Sequence, residues 1–160
     1  MDAVNERLFL DMLEQVGAAG GECCGGHAPS VQRLRDAGLR PTRQRVTLGQ
    51  LLFARGDRHV TAEMLHGEAA EANIRLSLAT VYNTLNQFTR AGLLRRIGPD
   101  GSRSFFDTNP SVHPHFYLRG EDILIDVPEA LVLDGMPEAL PGHEISSLDI
   151  IIHIRRKPAA

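Results

Sequence analysis

Two histidines, His113 and His115, stand two apart in "NPSVHPHFYL". In an extended segment, side chains two apart share a face, so both imidazoles point at one place. Neutral imidazole is the commonest protein metal ligand. Three more donors fall at element junctions: Asp107 just before this segment, His59 in "GDRHVTAEM" ahead of a helix, and Asp126 at the end of the strand after His115. A mixed set of nitrogen and oxygen donors suits zinc, iron or manganese, and intrinsic affinity order does not choose among them. A second group lies in "ECCGGHAPS", where Cys23, Cys24 and His27 offer thiolate and imidazole, donors that can hold a haem iron axially. A linker with incidental thiols has the same composition. Adjacent cysteines rarely suit a structural disulfide, and two cysteines cannot close a four-cysteine zinc site within one chain. His66 reads as solvent-facing on its helix, His143 as a loop residue and His153 as a strand residue. No general base or nucleophile accompanies the His/Asp set and no Gly-rich phosphate loop is present, which weighs against a metalloenzyme.

A different chemistry is written in "RLSLATVYNTLNQFTRAGLLRR", residues 75–96. Leu78, Val81, Leu85 and Phe88 recur three or four apart and form the inward stripe of a helix. The opposite stripe is Ala79, Tyr82, Asn83, Asn86 and Arg90, with Thr80 beside it. A solvated face normally carries more charge. Asn pairs with adenine edges, and apolar or aromatic atoms touch the thymine methyl, so a weakly charged polar face suits the DNA major groove. Arg40, Arg43 and Arg45 precede it, and Arg95, Arg96 and Arg103 follow; these can hold phosphates or enter a minor groove.

These residues need elements to position them. Residues 4–16 predict a short helix, and the Gly-rich stretch after it predicts a flexible linker. Ser30 is expected to cap a helix ending at Gly38, Thr42 one running to about Ala54, Thr61 a third, and Ser77 the opening stretch, which ends near Gly92. "LLRRIGPDGSRSFFDT" predicts a β-hairpin around "GPDGS". Helices followed by a hairpin make a winged helix-turn-helix, whose second paired helix enters the major groove. Beyond residue 108, "HFYL" and "ILIDV" predict a second hairpin, a Pro- and Gly-punctuated loop follows, and "SSLDIIIHIRRK" predicts a long strand. On it, Leu148, Ile150, Ile152 and Ile154 share one face, opposite Asp149, Ile151 and His153. Three strands bury little alone, so a partner chain is expected to cover or extend them. The fold class is therefore α+β, divided as an extension (1–29), a winged-helix domain (30–108) and a small C-terminal domain (109–160).

Composition is that of an ordinary soluble globular protein. The chain has 160 residues, is 42% hydrophobic and carries a net charge of −3. That net value hides an asymmetry: residues 31–58 hold seven arginines against two acids, whereas residues 121–149 hold eight acids and no Lys or Arg. Only the basic half is expected to meet a polyanion. No apolar run is long enough to span a bilayer, and the N-terminus does not read as a secretory signal, so a cytoplasmic location is expected.

"AGLRPTRQR", "HVTAEML", "SLATVYNTLNQFTRAGLLRR" and "FDTN…HPHFYL" together resemble the ferric uptake regulator family, over residues 31–157. Among its branches, the chain is most similar to the haem-responsive iron response regulators, which also have a Cys- and His-bearing N-terminal extension. The resemblance implies a dimeric or higher-oligomeric repressor on A/T-rich double-stranded operators of iron and haem genes, with a C-terminal α/β dimerisation domain. It implies that Tyr82 contacts bases and Arg40 the minor groove. It also implies that His59, Asp107, His113, His115 and Asp126 form an inter-domain regulatory metal site, a hinge-type device. Haem is then expected at His113 and His115, assisted by Cys23, Cys24 and His27. The chain departs from the family in four places, one being the branch's three-histidine haem run, here His113-Pro114-His115. "LRGE" stands where many members carry a CxxC motif for structural zinc. Val112, Pro114 and Leu148 occupy positions where second-site ligands are usual. The branch's Cys-Pro haem motif is here Cys24-Gly25. The competing expectations are an iron- or manganese-dependent repressor indifferent to haem, a metalloenzyme, and a haem carrier without DNA function.

Overall fold

The structure, a computed structural model, describes residues 27–157 apart from 100, 102, 129, 130, 132 and 133. The expected helix at 4–16 and the linker with Cys23 and Cys24 lie outside the described residues. The chain divides into two compact units. The first takes the described residues up to Arg96 together with Phe105–Pro110, and the second takes Ile97–Ser104 and the residues from Ser111 on.

The first unit contains helices α1 (His27–Asp36), α2 (Arg43–Phe53), α3 (Ala62–Glu71) and α4 (Leu78–Arg90). Strands β1 (His59–Val60), β2 (Arg95–Ile97) and β3 (Phe105–Asp107) form a sheet in the order β1-β3-β2. Three helices start as their sequences dictate: Thr42, Thr61 and Ser77 are N-caps whose side chains accept from the backbone N–H three residues on. Such a cap satisfies one of the orphan donors of a first turn and is worth about 1 kcal/mol. Ser30 is not a cap. α1 begins before it, at His27, and Ser30 is buried within the helix. α4 ends at Gly92, whose φ is +72°; Leu93 N–H returns to the Phe88 carbonyl at 2.9 Å and Gly92 N–H to that of Thr89 at 3.0 Å. That pair of bonds is the glycine-terminated C-cap of a helix.

The core of this unit joins α1–α4 through Leu34, Val46, Leu48, Leu52, Leu65, Val81, Leu85 and Phe88. Phe106 of β3 and Val60 of β1 close it from the sheet side. On α4 the buried stripe is Val81, Thr84, Leu85 and Phe88, while Leu78 is exposed. Thr84 fits the stripe because its hydroxyl donates to the Thr80 carbonyl at 2.9 Å, which removes the cost of burying it.

The second unit has strands β4 (His115–Leu118), β5 (Ile123–Asp126) and β6 (Ile151–Ile154), in the order β5-β4-β6. β4 and β5 are the expected antiparallel hairpin, and β6 runs parallel to β4. A parallel neighbour needs a crossover, and residues 127–150 supply it. β6 is shorter than the long strand expected from "SSLDIIIHIRRK", because the ladder with β4 pairs only residues 151–154. Register places Phe116 opposite Ile125 and Ile152, and Leu118 opposite Ile123 and Ile154. One face is thus six apolar residues, of which Ile123, Ile125 and Ile154 are exposed. The other face carries buried Tyr117, Leu124 and His115.

Candidate metal ligands and nucleic-acid interface

In the first unit, His59 and Asp107 are register partners across β1 and β3. The ladder is fastened at its end. Arg58 N–H donates to Thr108 Oγ1 at 2.8 Å, and Thr108 N–H donates to the Arg58 carbonyl at 3.1 Å. The Arg58 guanidinium is in turn paired with Glu68 of α3. Asp107 is fully buried, and its Oδ1 accepts from Asn109 N–H at 2.8 Å. Its Oδ2 then faces His59 Nε2 at 3.6 Å, beyond hydrogen-bond length.

The second unit repeats the pattern. His115 and Asp126 are register partners across β4 and β5, and His115 is 1% exposed. His113 precedes the strand; its ring centroid is 4.4 Å from that of His115. Asp126 Oδ1 lies 2.9 Å from His113 Nε2 and 3.5 Å from His115 Nε2. His113 Nδ1 lies 3.1 Å from the Ser111 carbonyl, to which it can donate, and 3.3 Å from the Ser111 hydroxyl, from which it can accept. In the second tautomer Nε2–H donates to Asp126 Oδ1. In the first a bare Nε2 faces that oxygen, and a second proton or a metal ion lies between the two acceptors. A ligating histidine usually donates its other N–H to a carbonyl in this manner.

The donor chemistry and spacing fit a divalent ion. Donors bonded to one ion at about 2.1 Å each can stand no more than about 4.2 Å apart. The spacings 3.6 Å in the first unit and 2.9 and 3.5 Å in the second fall inside that limit. The remaining histidines have other tasks. His66 is half-buried rather than solvent-facing; its Nε2 lies 2.9 Å from the Leu76 carbonyl and ties α3 to the turn before α4. His153 stacks edge-on against Tyr117 at 5.5 Å. Cys23 and Cys24 lie outside the described residues, as does the side chain of His27.

On α4, Ala79 and Asn83 are exposed and Thr80, Tyr82 and Asn86 half-buried, along one side of the helix. Thr80 Oγ1 lies 2.9 Å from the capping Ser77 hydroxyl. Tyr82 packs against the core, and its hydroxyl donates to Glu63 Oε1 of α3 at 2.9 Å. Arg40 and Arg43 are exposed. Arg45 is held within the unit, donating through Nε to Gln87 Oε1 at 2.9 Å and through a terminal nitrogen to the Arg40 carbonyl at 2.8 Å. It anchors the turn carrying Arg40 to α4. In the second unit Arg103 is paired with Asp122 at 2.9 Å, and Asp122 also accepts from the Tyr117 hydroxyl. Sequence reasoning missed Glu63 and Gln87, since nothing local marks a residue as the partner of a side chain on another helix.

Comparison with known proteins carries the assignment further. The model of the ferric uptake regulator family matches residues 36–150. The ferric uptake regulation protein of Pseudomonas aeruginosa is 32% identical over 127 residues, covering 78% of this chain and 95% of that protein. Its namesake in Legionella pneumophila is 37% identical over 82 residues, covering 51% of this chain and 60% of that protein. Among solved structures, the ferric uptake regulator of P. aeruginosa with manganese superposes with a TM-score of 0.62 at 29% identity, over 80% of this chain and 98% of that one. The Vibrio cholerae ferric uptake regulator, at 22% identity, shares the fold, with a TM-score of 0.61 over 79% of this chain and 98% of that one. These names are those of regulators, not of enzymes. By the extent of the family match and of these relatives, the chain belongs to the ferric uptake regulator family.

Proposed function

We propose that this protein is a divalent-metal-responsive transcription regulator, mainly a repressor, of genes for iron metabolism. It reads operator DNA with α4, and its metal ligands are His59 and Asp107 in the first unit and His113, His115 and Asp126 in the second. The observation that carries the reading is the convergence of His113 Nε2 and His115 Nε2 on Asp126 Oδ1, at 2.9 and 3.5 Å. An ion at the donors of one unit supplies fixed positive charge and cross-links the paired strands of that unit. It regulates only if it binds the DNA-competent conformation more tightly than the incompetent one. A tenfold preference corresponds to about 1.4 kcal/mol of bias.

The residues of the first unit supply the DNA contacts. Tyr82 and Asn83 meet base edges, while Arg40 and Arg43 hold phosphate or the minor groove, favouring A/T-rich duplex. A second copy of the chain covers the six-residue apolar face of the β5-β4-β6 sheet, and the two-fold dimer matches paired half-sites.

Haem control, the finer response implied by the resemblance, is assigned second place. Its thiol donors Cys23 and Cys24 lie outside the described residues. His115 is buried and His113 is engaged with Asp126, an arrangement suited to a small ion rather than a macrocycle.

The test is duplex binding measured for metal-stripped protein, for the same protein with manganese(II), and with haem. Selective retention of a duplex from a random pool, strengthened by manganese, is expected. Strengthening or release by haem alone, with indifference to manganese, overturns the assignment of the effector. Absence of any selected duplex overturns the regulator reading.

A further inference from the structure

Tyr82 is held at both ends. Its ring packs against the core of the first unit, and its hydroxyl is donated to Glu63 Oε1 across the α3–α4 pair at 2.9 Å. A phenol has one proton to give, and an ionised carboxylate can only accept. With that proton spent on Glu63, the phenol oxygen can meet a further group only as an acceptor. In the major groove, adenine N6 and cytosine N4 are donors, whereas guanine O6 and thymine O4 are acceptors. The direction of one hydrogen bond within the protein therefore decides which base edges the tyrosine tolerates.

We propose that Glu63 is a specificity-determining residue that fixes the polarity of the Tyr82 hydroxyl, so that the contacted position must present an exocyclic amine. This rests on the reading of α4 as the groove helix. Glu63 suits the role by position. It lies in the first turn of α3, exposed on the surface that Tyr82 shares, one residue past the capped start at Ala62. Capping by Thr61 fixes that turn, so the carboxylate is presented from a rigid element. Glu63 acts through Tyr82 and needs no base contact of its own.

The experiment selects duplexes from a random pool with full-length wild-type protein in manganese(II), and repeats the selection with Tyr82→Phe, Glu63→Ala, Glu63→Gln and the Tyr82→Phe/Glu63→Ala pair. One position is expected at which wild type prefers an amine-bearing base over its carbonyl counterpart by about tenfold. Tyr82→Phe removes the hydroxyl and brings that preference to about twofold or less. Glu63→Ala leaves the hydroxyl able to turn and donate, and gives the same collapse while the rest of the selected sequence is retained. Glu63→Gln, whose amide donates as well as accepts, also collapses it with side-chain size kept. The double variant shows no further loss beyond either single one. A carbonyl preference at that position, or an amine preference that survives in Glu63→Ala and Glu63→Gln, overturns the role of Glu63. Tyr82→Ala is the separate control. If it retains the wild-type duplex at full affinity, the groove reading of α4 fails, and the proposal with it.

Discussion

His59 and Asp107 are direct partners across the antiparallel β1–β3 ladder, with Nε2 and Oδ2 3.6 Å apart. His115 and Asp126 stand in the same relation across β4–β5. In both, a backbone ladder rather than a loop fixes the histidine against the carboxylate. Such donors are pre-organised, and little ordering entropy is left to spend on binding an ion. Exchanging Asp126 for Asn keeps its shape but removes the charge that faces His113 and His115. Asp126→Asn is expected to weaken manganese(II) binding on the order of 100-fold, with the thermal midpoint of the metal-stripped protein little changed. Calorimetric titration measures it; unchanged affinity removes Asp126 from the ligand set.

Contacts to base edges and contacts to phosphates separate by their response to salt. Asn83→Ala is expected to weaken binding of a selected duplex by about ten- to a hundredfold and to relax its base preference. Arg43→Ala is expected to weaken selected and random duplexes alike and to lower the magnitude of the salt slope by about one. Equal salt slopes for Arg43→Ala and wild type place Arg43 away from the backbone.

The local parts of this fold were legible in the sequence, and the long-range parts were not. Thr42, Thr61 and Ser77 announce their helices because a cap bonds within one turn. The β4–β5 hairpin is legible for the same reason, since its turn is short. β1 was missed: two residues, His59 and Val60, form a strand only because Phe106 and Asp107 come to meet them from far along the chain. The extent of β6 was overestimated because apolar alternation marks every residue that can pair, whereas β4 offers only four partners. At the candidate site, the donor residues were read from type and spacing. Their hydrogen-bond partners were not, because Ser111, Asn109 and Glu63 are singled out by no pattern.

Gly92 ends α4 at φ +72°, a conformation in which a side chain is strained, although a Cβ there would touch nothing. Gly92→Ala is expected to destabilise the protein by about 1–2 kcal/mol through backbone strain alone. Chemical denaturation measures it. A neutral result shows that the turn after α4 relaxes to another conformation.

Phe88 is fully buried in the core of the first unit and lies 6.4 Å, ring to ring, from Phe53 of α2. Phe88→Ala leaves a void in that core and is expected to cost about 3–5 kcal/mol. A large share of a domain's net stability is lost, and duplex binding falls with the folded fraction. A destabilisation under about 1 kcal/mol indicates that the core collapses around the truncated side chain.

The apolar face of the C-terminal sheet makes the last prediction. Phe116, Leu118, Ile123, Ile125, Ile152 and Ile154 share it, and Ile125 at 47% and Ile123 at 42% are more exposed than a core residue of one chain should be. Single exposed isoleucines need no explanation, but three exposed on one six-residue apolar face of a three-stranded sheet do. Covering them with a second copy removes apolar area from water at about 25 cal/mol per Å². An ionised side chain in the middle of that contact has no partner and is costly to desolvate. Ile125→Glu is therefore expected to shift the protein from dimer to monomer in sedimentation while the helical signal of the first unit is kept. For the wild type, the thermal midpoint should rise with protein concentration, as it must when association is linked to folding. In Ile125→Glu that dependence should vanish. A dimer that survives the substitution at micromolar concentration places the interface on another surface.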